Sequence, residues 1–525
     1  MTKEKESQPL IQLSATSWSQ EQKLAIARIA GQSLTTIEPI VHQTWGMECW
    51  SQLLTYLELT QQDLVTKPIT YEEAAKLLST GKRDIRIEIL VDLLALSMNL
   101  NKQPTSKKEG VVYDARSRRF LFELARLSNL TPADVTAVER SVAQQMYFAL
   151  QDNIKEEDKD SNLHDRAALM DASAHKKIDE TNKQKKAFKW LATGAGVLGG
   201  GALIAITGGL AAPLLAPLLV GLTGATFFAT AGGVALMTSL FGLTGGGLAG
   251  WKMHRRMQGL QEFGFQQILN DADLPPIPTL QCTICISGFL RDNKDEFRSP
   301  WEHAFDRAKN YNDIYCLQYE SDSLMDLGLA FDKFVKNQAI RYAGYEVAKQ
   351  TALRAFFSAV TLPATLLKIA DVIDNPWQIA ADRSRKAGVV LANVLENRVQ
   401  GNRPVSLVAY SCGCLVIWHC LKELYERKKY GLIDHVVFMG APISGEDTQL
   451  WNNYLSVVSG RCINCFTDKD WVLAFVYRLH SLDTDVAGLR PVENIPRLEN
   501  IRLDLEGHTS YRDAVTDILT DIGMA

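Results

Sequence analysis

From Trp190 to Trp251 the chain runs for 62 residues without one Asp, Glu, Lys, Arg or His, and sixteen of its 35 glycines fall inside that run. A stretch of this length cannot form the outside of a water-soluble domain; lipid or other protein must cover it. About 20 apolar residues cross a bilayer once as a helix, so the run suffices for two crossings, and Pro213 and Pro217 mark a break between them. Its flanks, "KQKKAFKW" and "WKMHRR", are basic with an aromatic at each boundary, as expected when both ends face the cytosol. The spacings Gly196-x-x-x-Gly200 and Gly246-x-x-x-Gly250 suit helices that pack backbone to backbone. The turn between the two halves is itself apolar, which keeps a hairpin buried in protein, or a shallow re-entrant insertion, as the competing readings; the flanks favour a membrane hairpin over 190–251.

The whole chain has 525 residues, 46% hydrophobic and 22% charged, which implies a folded protein of about three domains. Its net charge of −4 offers no basic excess to neutralise a phosphate backbone, so nucleic acid is not an expected partner. The opening "MTKEKESQPL" has no apolar core of a secretory signal, and the start of the chain is expected to stay in the cytosol. Nine cysteines, an odd number, argue for reduced thiols rather than a disulfide framework. Cys282-x-x-Cys285 and Cys462-x-x-Cys465 have the spacing of zinc half-sites, but both lie in β-branched runs. On a strand, positions i and i+3 point to opposite faces, so buried core thiols are expected and no metal.

Residues 1–152 read as an all-α domain. Thr70-Tyr-Glu-Glu73 is a capping box, and Thr131-Pro-Ala-Asp134 puts proline at the first position of a long helix. Residues 153–189 are so charged that they form a solvated helical arm, a coiled coil or a linker. From 258 to 525 the pattern changes: "CTICISG", "IYCLQY", "VSLVAYS", "HVVFMGAP", "RCINCFTD" and "IRLDLEG" alternate with helical stretches. Continuous apolar strands, each followed by a helix, predict an α/β domain with a mostly parallel sheet covered on both faces. Sites in such sheets gather at the carboxyl ends of the strands.

One strand-to-helix junction carries the chemistry. In "VSLVAYSCGCLVIWH" an apolar strand runs into Ser411 and an amphipathic helix runs out, with small residues, Ala409 and Gly413, two positions either side. A nucleophile elbow needs this arrangement, because the serine sits on a strained turn and bulk beside it would collide with neighbouring backbone. Taken alone the pattern is weak, and a plain buried serine competes with it. Partners in serine–acid–histidine order strengthen the reading. "TDKDWVLAF" offers Asp470, with Asp468 as the alternative acid, and "EGHTSYRD" offers His508. Asp470 is preferred because it sits where an apolar helix begins and can point toward the histidine loop. The backbone N–H of Cys412 and one from Gly288 or Phe289 would form the oxyanion hole, although Gly288 reads equally well as a strand-ending turn. His419, His435 and His480 read as packing, surface and helix-end residues. "AFFSAVTLPATLL", 355–367, is too short to span a bilayer and reads either as a lid over a greasy pocket or as a core helix. Such a row of residues needs no cofactor, and none is expected.

Together "YDARSRRFLFELARL", the glycine-rich block ending "GLAGWKMHRR", "ISGFL", "AYSCG", "DKDWVLAFVYR" and "GHTSYR" resemble the transmembrane and coiled-coil domain-containing family, whose members have an expected α/β-hydrolase domain. The resemblance covers most of the chain from about Tyr113 onward. It implies a membrane-associated serine hydrolase, lipase- or esterase-like, acting on lipid or other ester substrates, with Ser411, Asp470 and His508 at the matching positions. Ala409 stands where that family carries glycine, and Cys412 where it carries leucine. The expected partners are a bilayer, an ester substrate and proteins bound through the helical N-terminal domain, with that domain and the hydrolase domain facing the cytosol. The rival expectation is a catalytically silent membrane scaffold or trafficking adaptor that keeps the fold.

Overall fold

A computed structural model describes residues 17–37, 43–81, 83–98, 111–157, 239–242, 247–251, 259–268, 279–305, 312–342, 364–480 and 485–524. The charged arm beyond 157, most of the apolar run 190–251 and residues 355–363 of the segment 355–367 lie outside the described residues. Among the described residues no helix is long and apolar enough to cross a membrane. The chain divides into two compact units, one made of Met1–Gly247 with Asp271–Leu280 and Gly401–Pro404, the other of Leu248–Asn270, Gln281–Gln400 and Val405–Ala525.

The first unit is helical: α1 (Gln20–Ile37), α2 (Gln43–Leu57), α3 (Gln61–Thr66), α4 (Tyr71–Thr80), α5 (Arg83–Ser97), α6 (Ala115–Leu127) and α7 (Pro132–Glu157). Local chemistry starts these helices. Thr70 accepts from the Glu73 N–H while Glu73 reaches back to the Thr70 N–H, and Thr60 with Asp63 repeats the device at α3. A buried pair ties α6 to α7, with Arg118 on Glu139 at 2.8 Å and the Tyr113 hydroxyl on the same carboxylate at 2.7 Å. Helix α7 continues without a break to Glu157, so the first charged residues after 152 belong to it.

The second unit holds a seven-stranded sheet: β1 (Phe263–Ile268), β2 (Cys282–Ile286), β3 (Asp313–Tyr319), β4 (Val405–Tyr410), β5 (Ile433–Met439), β6 (Cys462–Phe466) and β7 (Leu498–Arg502). Their order is β1-β3-β2-β4-β5-β6-β7. Every pairing is parallel except β1 with β3. Strands β2, β4 and β6 are buried at every residue, as a sheet covered on both faces requires. Helix Gly413–Glu426 buries Leu415, Val416, Cys420, Leu421 and Leu424 on one face. It packs against the long helix Ala364–Glu396, where a Cβ on Gly388 would lie 2.5 Å from the Val416 carbonyl oxygen. The structure is therefore a mixed α/β protein with a mostly parallel sheet, preceded by helices.

Two local readings need correction. Strand β1 has no counterpart in the sequence reading, because only Phe263, Phe265 and Ile268 of "FGFQQI" are buried and the remaining positions are half-polar. At the other edge β7 begins earlier than "IRLDLEG" suggests and ends at Arg502; only Leu498 of its five residues is buried, so an apolar run does not mark it. The two C-x-x-C pairs lie on β2 and β6, where all four cysteines are buried and none is in a disulfide.

Candidate active site

Strand β4 ends at Tyr410 and the next helix starts at Gly413, leaving only Ser411 and Cys412 to make the turn. Ser411 makes it with φ of +55°, a region an L-residue occupies only under constraint. The constraint is visible: the Ser411 N–H donates to the Met439 carbonyl at the end of β5 (2.9 Å), and the Ser411 carbonyl accepts from Cys414 N–H (2.9 Å). The small neighbours are needed. A Cβ on Gly413 would lie 2.4 Å from the Ile286 carbonyl oxygen of β2. Ala409 is fully buried inside β4.

Two distant loops close on this turn. His508 follows β7 in a short turn before helix Ser510–Asp521, and its Nε2 lies 2.6 Å from Ser411 Oγ. Asp470 follows β6 at the mouth of helix Trp471–His480, and its Oδ2 lies 2.6 Å from His508 Nδ1. The other Asp470 oxygen accepts the Leu473 N–H at 2.9 Å, so capping this helix aims the carboxylate at the imidazole. Asp468 is not brought to the site. It is exposed and paired with Arg502 at 2.9 Å. Only Lys469 separates it from Asp470, yet one carboxylate is exposed and the other fully buried.

Gly288 lies directly against the serine turn, where a Cβ would come within 2.1 Å of the Tyr410 carbonyl oxygen and 2.5 Å of Cys412 N. The Gly288–Phe289 backbone and the Cys412 N–H therefore share one small space. Neither the Phe289 nor the Cys412 N–H meets an acceptor among the described residues. Burial pushes the Cys412 thiol up to about 12, which keeps it protonated and no rival to the serine. Burial, followed by the Asp470 charge, also holds the Tyr511 hydroxyl well above its ordinary value. Aromatic rings surround His508, with the Phe331 ring centroid 5.1 Å and the Phe289 centroid 6.0 Å away. Ser411 and Asp470 have no exposed surface, and His508 is 1% exposed.

The other histidines stand apart. His435 accepts the Arg461 N–H at 2.8 Å, and His480 is the last residue of its helix. His419, on the helix leaving Ser411, is held down to about 4 by burial and then by the Arg385 charge. Sequence reasoning missed Tyr410, whose hydroxyl holds the Phe289 carbonyl, and Glu296 and Arg512, which hold the same loop further on at Arg291 and Asp292. Glu296 lies in "DNKDEF", which reads as a solvated charge run, and only the fold shows it to be 3% exposed.

Fold and geometry define a mixed α/β protein with a buried serine–histidine–aspartate row at the carboxyl ends of a mostly parallel sheet. The chain belongs to the family described as "Protein of unknown function (DUF726)", which matches residues 185–525. The similar proteins include the transmembrane and coiled-coil domain-containing protein STS1 of rice, 37% identical over 62% of this chain and 51% of its own length. The "Uncharacterized membrane protein F35D11.3" of Caenorhabditis elegans is 30% identical over 83% of this chain and 70% of its own. The "Probable lipase MIL1" of Saccharomyces cerevisiae is 30% identical over 79% of this chain and 37% of its own. The chain thus spans about half of the rice protein and little more than a third of the yeast one. No solved structure matches it.

Proposed function

We propose that this protein is a membrane-associated serine hydrolase of the α/β-hydrolase type, acting on lipid or other carboxylic esters. The observation that carries the proposal is Ser411 at φ +55° with its hydroxyl 2.6 Å from His508 Nε2, while His508 Nδ1 lies 2.6 Å from Asp470. Supporting it are the antiparallel first strand, the strand order, and the placement of serine, acid and histidine after β4, β6 and β7. The roles follow from chemistry. Ser411 Oγ attacks the ester carbonyl as His508 Nε2 takes its proton; Asp470 accepts from Nδ1–H, which holds the productive tautomer and stabilises the imidazolium. The Cys412 and Phe289 N–H groups receive the developing oxyanion. His508 then protonates the departing alcohol, and water releases the acyl group by the same steps in reverse.

The lipase and membrane descriptions of the relatives, with the uncharged run at 190–251, favour an ester carried in or on a bilayer, and the basic flanks favour cytosolic placement of both folded units. The helical unit would then be free to bind proteins. One observation favours the second reading, a silent scaffold: the whole row is closed from solvent, so turnover requires the packing around His508 to open. A fluorophosphonate probe on the detergent-extracted full chain separates them. Label that is lost in Ser411→Ala and kept in His419→Ala supports the hydrolase; an unlabelled wild type overturns it in favour of the scaffold.

A further inference from the structure

The backbone of Ser287–Asp292 is gripped by its surroundings at nearly every peptide. The Tyr319 hydroxyl donates to the Ser287 carbonyl at 3.3 Å, and the Leu290 N–H donates to the Leu324 carbonyl at 3.0 Å. The hydroxyl of Tyr410, the residue just before the serine, donates to the Phe289 carbonyl at 3.2 Å. One oxygen of the buried Glu296 accepts both the Arg291 N–H (2.7 Å) and the Asp292 N–H (2.6 Å). Its other oxygen meets the guanidinium of Arg512, which also reaches Asp292 at 3.2 Å. Arg512 stands four residues beyond His508, in the first turn of the last helix. Amid these bonds the Gly288 and Phe289 N–H groups are left without an acceptor among the described residues.

We infer that Tyr410 and Glu296 are positioning residues that aim the Phe289 N–H at the reacting carbonyl, and that Arg512 couples this loop to the segment carrying His508. The inference rests on the hydrolase reading and extends it. Its physical basis is preorganisation: an oxyanion donor acts only where it points before charge develops, and small misplacements cost large factors in rate. A buried carboxylate held by two N–H groups and a guanidinium is stiff, because charge-assisted bonds are short and strong where water is excluded. Tyr410 adds the link to the serine turn itself, since one residue supplies both the strand end and the grip on Phe289.

The experiment measures fluorophosphonate labelling of the full chain as two constants, the affinity for the probe and the rate of phosphonylation at saturation, beside a thermal melt. Tyr410→Phe keeps the packed ring and removes only the hydroxyl; Arg512→Lys keeps the charge and removes the fork. For each, the saturated rate should fall about tenfold with probe affinity within about twofold of wild type. A purely structural role would lower the melting temperature and leave the rate of the folded protein unchanged, and that result overturns the inference. If Tyr410→Phe does not fold, Arg512→Lys decides alone by the same criteria. A wild type without label removes the hydrolase reading, whereas a labelled wild type with unaltered variants removes only this inference.

Discussion

Asp470→Asn is the sharpest single test, because the two oxygens of that carboxylate have two different jobs. Oδ1 accepts the Leu473 N–H at 2.9 Å and Oδ2 faces His508 Nδ1 at 2.6 Å, both buried. An asparagine has one oxygen and one NH2, so it can serve one partner and must fail the other. If its oxygen stays on Leu473, the NH2 faces Nδ1, the imidazole carries its proton on Nε2, and it can no longer accept from Ser411. In the serine protease that serves as the general template for such rows, this change costs about 10⁴-fold. If the amide turns round, the tautomer survives, but an NH2 confronts the Leu473 N–H and leaves a buried donor unpaired, at about 1–3 kcal/mol. Labelling rate and melting temperature measured together must therefore show one loss or the other. Asp468→Asn, which breaks only an exposed pair with Arg502, should change neither, since such pairs contribute about 0–1 kcal/mol. An Asp470→Asn protein that labels and melts like wild type would refute the assignment, as would loss of label in Asp468→Asn.

Gly288→Ala should abolish labelling and cost about 3 kcal/mol or more in a denaturant melt, because its Cβ would lie 2.1–2.6 Å from backbone atoms of Tyr410, Cys412 and Gly413, none of which can rotate away. A variant of wild-type stability would show that the two loops are not in contact. His419, depressed from 6.5 to about 4 by burial and by the charges of Arg385 and Lys422, resists protonation only when folded. The unfolded chain takes up that proton first, so the stability tied to His419 is complete above about 6.5 and drains away as pH falls toward 4. Melting temperature followed over that window should fall less steeply in His419→Gln than in wild type; parallel curves would contradict it.

The strand–serine–helix junction was legible because it is a local rule: a sharp turn tolerates only small residues beside it, and Ala409 and Gly413 stand in the chain for anyone to read. The capping box at Thr70 and the proline start of α7 are local in the same sense. Strand β1 was not legible, since an antiparallel edge strand buries only alternate positions and its two glutamines mask the pattern. Glu296 was hidden for the opposite reason, as a carboxylate in a charged run reads as solvated until a distant arginine arrives to cover it.

What the amino-acid sequence determined by itself is the list of participants: a serine on a tight turn, two acids after one strand, a histidine after another, and an uncharged run long enough to need lipid or protein around it. What only the tertiary structure decided is which of them meet. Asp470 rather than Asp468 faces His508, and a glycine 123 positions before the serine lies against its turn. Chain order says nothing about such distances, because parallel strands bring together residues separated by whole helices, and the sheet's register alone sets which loop ends come within a hydrogen bond of one another.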